Sequence, residues 1–167
     1  MGPRRRYRDE TWRLACTGDA RALDRVADAL VQDEPDDSSY DAHRARAFAL
    51  AIERRLEEAL TQLNDGSTDD WPFPAAYAAD VARVRYLAGD YDGALGALRL
   101  AVHGADRLDP ALADLAVLVV AGAPELRLRA VRVVLGGGTA WQRLRNAVVT
   151  GVARADRDVS GGAMTGV

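Results

Sequence analysis

Apolar side chains along this chain recur at three- and four-residue spacing within stretches of helix length, and no stretch alternates apolar and polar residues one by one. The first period fits one face of an α-helix and the second the pleat of a strand, so the pattern predicts helices alone. Turn chemistry separates the stretches at Thr17-Gly18-Asp19, Gln32 to Ser39, Glu53-Arg54-Arg55, Asn64 to Pro74, Gly89-Asp90, Gly104 to Pro110, Gly122 to Pro124 and Gly136-Gly137-Gly138. These breaks leave about nine helices joined alternately by tight and longer turns, the rhythm of antiparallel helical hairpins.

Gly18, Arg54, Gly89 and Gly122 mark the tight turns, and their separations are 36, 35 and 33 residues. A period near 34 predicts one hairpin per repeat, stacked on its neighbours. In the stretch Ala75 to Asp106, Ala82, Ala94 and Ala101 fall where two helix axes cross, and Leu98 fills the space beside them. Ala47, Leu50, Ala59 and Leu63 repeat that scheme in the preceding unit. The first unit supplies Trp12, Leu14, Leu23 and Leu30, and the fourth supplies Leu115, Leu118, Val131 and Val134.

With Ala82, the Gly89-Asp90-Tyr91 turn and the face formed by Ala94, Leu98 and Ala101, the chain resembles the tetratricopeptide repeat (TPR) family, well over 75–106 and loosely over 7–155. Two positions depart from the family pattern, since Arg85 stands where the first helix commonly carries an aromatic and Asp106 holds the closing proline slot. The resemblance implies an all-α fold of antiparallel hairpins stacked as a short right-handed solenoid. It also implies a concave groove, lined by the first helix of each hairpin, that accepts a protein or peptide partner. Arg44, Phe48, Ala79, Arg83, Tyr86 and Leu112 take the groove-facing positions by that resemblance, with the two arginines available to a carboxylate. The family's carboxylate clamp uses Lys and Asn at these places, and its full set is missing here.

A helix over 140–155, with Trp141, Leu144, Val148 and Val152 on its inward stripe, is expected to cap the last hairpin. Residues 1–6 read as a basic tail, 7–155 as the repeat domain, and 156–167 as a disordered tail without apolar periodicity. The segment Ala111 to Val120 is apolar nearly all round, which suits either enclosure by the cap or a homodimer or partner interface.

Composition narrows the chemistry. Hydrophobic residues make up 49% of 167 residues, enough for one substantial core, but aromatics are only 6%, so that core relies on Ala, Leu and Val. All 22 cationic side chains are Arg. Without lysine there is neither a Walker A loop nor a Schiff-base amine, and no cofactor is expected. Cys16 is the single cysteine, which excludes an internal disulfide and multi-cysteine zinc sites, and it reads as a small helix-packing residue. His43 and His103 belong to no metal motif, and the serines Ser38, Ser39, Ser67 and Ser160 fall in no nucleophile elbow. The chain is therefore read as non-catalytic. A composite enzyme site shared with another subunit is the alternative.

The acidic stretch Asp33 to Asp41 lacks the central glycine and terminal glutamate of a calcium loop, and is read as a linker that starts a helix, with cation binding left open. Trp71 or Phe73 is expected to pack on the helix opened by Pro74, a recognition patch being the alternative, and Gly136-Gly137-Gly138 to be a hinge. The net charge of -3 hides an uneven distribution: residues 1–8 carry four Arg and no acid, while 9–37 carry nine acids and three Arg. That acidic body opposes nucleic-acid binding of the kind seen in pentatricopeptide repeats, which share the period. No stretch has the apolar run of a signal peptide or a membrane span, so a cytoplasmic location with no membrane partner is expected.

Overall fold

The computed structural model describes residues 3–33, 39–67, 74–104 and 110–135. They form α1 (Pro3–Thr17), α2 (Ala20–Asp33), α3 (Ser39–Ile52), α4 (Leu56–Asp65), α5 (Pro74–Leu87), α6 (Tyr91–Gly104), α7 (Pro110–Gly122) and α8 (Arg127–Leu135). A single 3-10 turn, Pro124–Leu126, precedes α8. The fold is all-α, with no strand among the described residues. The junctions between successive helices fall at or beside the breaks marked by turn chemistry, with α8 starting three residues beyond Pro124. α1 starts at Pro3, so residues 3–6, which composition assigns to a tail, lie in a helix. The expected hinge at 136–138, the cap over 140–155 and the terminal tail lie outside the described residues.

Three tight turns share one backbone geometry. Gly18, Arg54 and Gly89 all adopt the left-handed conformation, with φ of 75°, 65° and 82°. At the second, Arg55 N–H donates to Leu50 O and Arg54 N–H to Ala51 O; at the third, Asp90 N–H donates to Arg85 O and Gly89 N–H to Tyr86 O. These are Schellman closures, which satisfy carbonyls that a helix end leaves bare. The following residue then starts the next helix. Asp19 Oδ1 accepts from Ala22 N–H and Asp90 Oδ1 from Gly93 N–H, whereas Arg55 supplies no side-chain cap. Gly122 differs, because it lies outside the left-handed region. Its missing side chain instead admits the ring of Tyr91, whose Cζ would lie 2.5 Å from a Cβ at that position.

Packing follows from the small residues. α5 and α6 associate most extensively, followed by α2 with α3 and α3 with α4, while α1 meets α2 more sparingly. Ala82, Ala94, Leu98 and Ala101 are fully buried, as expected for residues at a close helix crossing. They join Leu95, Val102, Leu115 and Val119 in a core spanning α5 to α8. A second core holds Leu23, Ala47, Phe48, Ala59, Leu63 and Val84, and links α2 through α5. α5 contributes to both cores, and no residue from Val81 to Leu87 is fully exposed.

Candidate functional site

The six groove positions are divided by the fold. Arg44, Phe48, Ala79 and Leu112 are buried, with Arg44 only 3% exposed, and Arg83 and Tyr86 are partly buried. Arg44, Phe48, Arg83 and Tyr86 come together around α3 and α5, while Leu112 belongs to the core between α5 and α8. Arg44 on α3 and Arg83 on α5 meet at one carboxylate. The carboxylate that both reach belongs to the protein's own interior.

That carboxylate is Asp80. Its Oδ1 accepts from Arg44 Nε at 2.9 Å and from Arg83 Nη1 at 2.7 Å, and its Oδ2 accepts from the Tyr40 hydroxyl at 2.9 Å. Two guanidinium groups thus share one buried acid. Arg44 Cζ lies 5.0 Å from the Phe48 ring centroid, and Arg83 Cζ lies 5.5 Å from that of Trp12, so the negative faces of two rings offset part of the surplus charge. Arg44 Nη1 and Arg83 Nε are buried without a hydrogen-bond partner. Burial alone pushes the Asp80 carboxyl up, but Arg44 and Arg83, with the hydrogen bonds from Arg83 and Tyr40, outweigh it and hold the carboxyl below its ordinary value. Asp80 is ionised at neutral pH for that reason.

An aromatic row crosses this cluster. Trp12 meets Phe48 edge-on at 5.8 Å between centroids and lies 6.4 Å from Tyr86, which lies 5.9 Å from Tyr91. α1 therefore sets an indole against the face of α3 and α5 that the family resemblance assigns to a partner. The cluster as a whole joins ionic and aromatic groups from α1, α3 and α5 and so ties these helices together.

Cys16 is exposed rather than packed. Local burial pushes its thiol above the ordinary value, and Arg83 offsets part of that. His43 Nδ1 lies 3.0 Å from Gln62 O and 2.7 Å from Gln62 Nε2, binding α3 to α4. Gly66 lacks a side chain where His43 packs, since a Cβ there would lie 2.5 Å from His43 Cβ. Among the described residues no group of three or more His, Cys, Asp or Glu is arranged to hold a metal. Residues 34–38 of the acidic stretch, and Trp71 and Phe73, lie outside the described residues. No described helix is long and apolar enough to cross a membrane.

Asp80 and Tyr40 are the members that reading the sequence missed. A signal for Asp80 existed: it is an acid on the small-residue face of α5, beside Ala79 and Ala82, three residues before Arg83 and 36 after Arg44. An acid one repeat away from an arginine is a candidate partner across stacked hairpins. Comparison with known family models, curated proteins and solved structures gives no match, so no family is shown for this chain.

Proposed function

We propose that this chain is a non-catalytic scaffold for a protein or peptide partner, built as a short right-handed solenoid of TPR-like hairpins whose last described hairpin is left open to that partner. The recurrence of the left-handed turn residue at Gly18, Arg54 and Gly89 supports the repeated hairpin. The observation that carries the binding reading lies on the last described hairpin. Val117 on α7 is 68% exposed, and Leu128 on α8 is 73% exposed, with Val131 beside it on the same helix. Large aliphatic side chains left in water on adjacent helices favour association, and burying each is worth about 1.5 to 3 kcal/mol.

Burial of Arg44, Phe48, Ala79 and Leu112 leaves Arg83 and Tyr86 as the partly accessible groove positions. The groove therefore contributes a cation and an aromatic rim, and the fourth hairpin supplies the apolar contact. Affinity capture from the native cell with the purified chain tests this, run beside the Leu128→Glu/Val131→Glu double variant. Retained proteins should be lost from the variant while its circular dichroism and denaturation midpoint are preserved. Equal retention by both chains contradicts the assignment. Sedimentation equilibrium separates a homodimer through this hairpin from a different partner.

A further inference from the structure

A recess of about 400 Å³ lies between α6 and α8. From α6 it is lined by Leu95, Gly96, Arg99 and His103, which fall along one stripe at three- and four-residue spacing. α8 closes the other side with Arg129, Arg132 and Val133. Three arginines from two helices thus line one recess in a chain whose net charge is -3. Arg129 Nη1 donates to Asp92 Oδ1, one turn before Leu95. Among the described residues Arg99 and Arg132 have no carboxylate partner. His103 Nδ1 donates to the Arg99 carbonyl oxygen at 2.8 Å, one helical turn back along α6.

We propose that this recess binds a small molecule carrying a phosphate monoester. One carboxylate against three guanidiniums leaves a surplus of two positive charges, which a phosphate dianion matches. Planar guanidinium forks suit its oxygens, because each can donate two parallel hydrogen bonds. Leu95 and Val133 add apolar surface for the organic part of the ligand. Gly96 keeps the space open: a Cβ there would meet no atom within 4 Å, although glycine inside a helix is unfavourable. The volume is within the range of small-molecule sites, about 300 to 1,000 Å³, and the three arginines belong to one recess instead of being spread over successive helices as an extended acidic peptide requires.

The test is a titration of the full chain with phenyl phosphate, followed by the backbone amide resonances of Gly96 and Arg99 and by calorimetry. Inorganic phosphate, benzoate and an oligoglutamate peptide are titrated in parallel. Phenyl phosphate should give a saturable shift at both amides and bind more tightly than the other three. Arg99→Gln/Arg132→Gln should weaken it at least tenfold, and Gly96→Leu, which fills the recess without meeting a neighbour through its Cβ, should do the same. Circular dichroism of both variants checks that the helices persist. No saturable shift up to millimolar phenyl phosphate, an undiminished affinity in either folded variant, or tighter binding of benzoate or oligoglutamate overturns the proposal.

Discussion

Arg44 donates to Asp80 across 36 residues of sequence, at 2.9 Å, with both side chains more than nine-tenths buried. The bond joins α3 to α5 and therefore one hairpin to the next. Removing Asp80 leaves Arg44 and Arg83 in the interior without their shared carboxylate, which costs about 3 to 5 kcal/mol. Asp80→Ala should show that loss as a lower urea midpoint. A destabilisation below about 1 kcal/mol, the scale of an exposed ion pair, would contradict the burial described here.

The same cluster sets an acid limit. Asp80 has its carboxyl held below the ordinary value in the folded chain, so its contribution is fully present above the unfolded value of about 3.9 and is lost as pH falls through the folded value. Stability measured by denaturation should therefore fall through the acid range below about pH 4. In Asp80→Asn that component should be absent, leaving a less stable protein with a shallower acid slope. An identical slope in both proteins removes Asp80 from the account.

The helix boundaries were legible because glycine, proline and acidic capping residues act locally. Arg54 was legible as a turn only from its spacing, since nothing in arginine itself favours a positive φ. The groove was legible as a face and illegible as a surface. Periodicity places Arg44 and Phe48 on one side of α3, but what covers that side is Trp12, separated from Phe48 by a whole hairpin. Likewise Asp80 acquires meaning only when α5 lies against α3. Long-range pairing of this kind leaves no periodic trace.

Ala94 is fully buried where α6 crosses α5. Ala94→Leu should overpack that crossing and destabilise the chain by about 1 to 3 kcal/mol. Gly96→Ala, two residues along the same helix and facing open space, should instead stabilise by up to about 1 kcal/mol through helix propensity. Thermal denaturation of the two variants shifting in the same direction would place the crossing elsewhere.

Arg54 holds a left-handed φ of 65° that disfavours any residue with a Cβ. Arg54→Gly should relieve roughly 1 kcal/mol of backbone strain and raise the midpoint, while Gly89→Ala should lower it by a similar amount. The second change also crowds the Arg54 guanidinium, which lies where a Gly89 Cβ would stand. A lowered midpoint for Arg54→Gly would mean that its side-chain contacts outweigh the strain.

Hydrogen–deuterium exchange of the chain with and without its captured partner tests the scaffold reading most directly. The proposed contact lies on α7 and α8, where Val117, Leu128 and Val131 are exposed. Amides of Pro110–Gly122 and Arg127–Leu135 should slow on binding, while those of Ala20–Asp33 keep their free rates. Slowing confined to α1 through α4, with α7 and α8 unchanged, would contradict the assignment of the fourth hairpin as the partner surface.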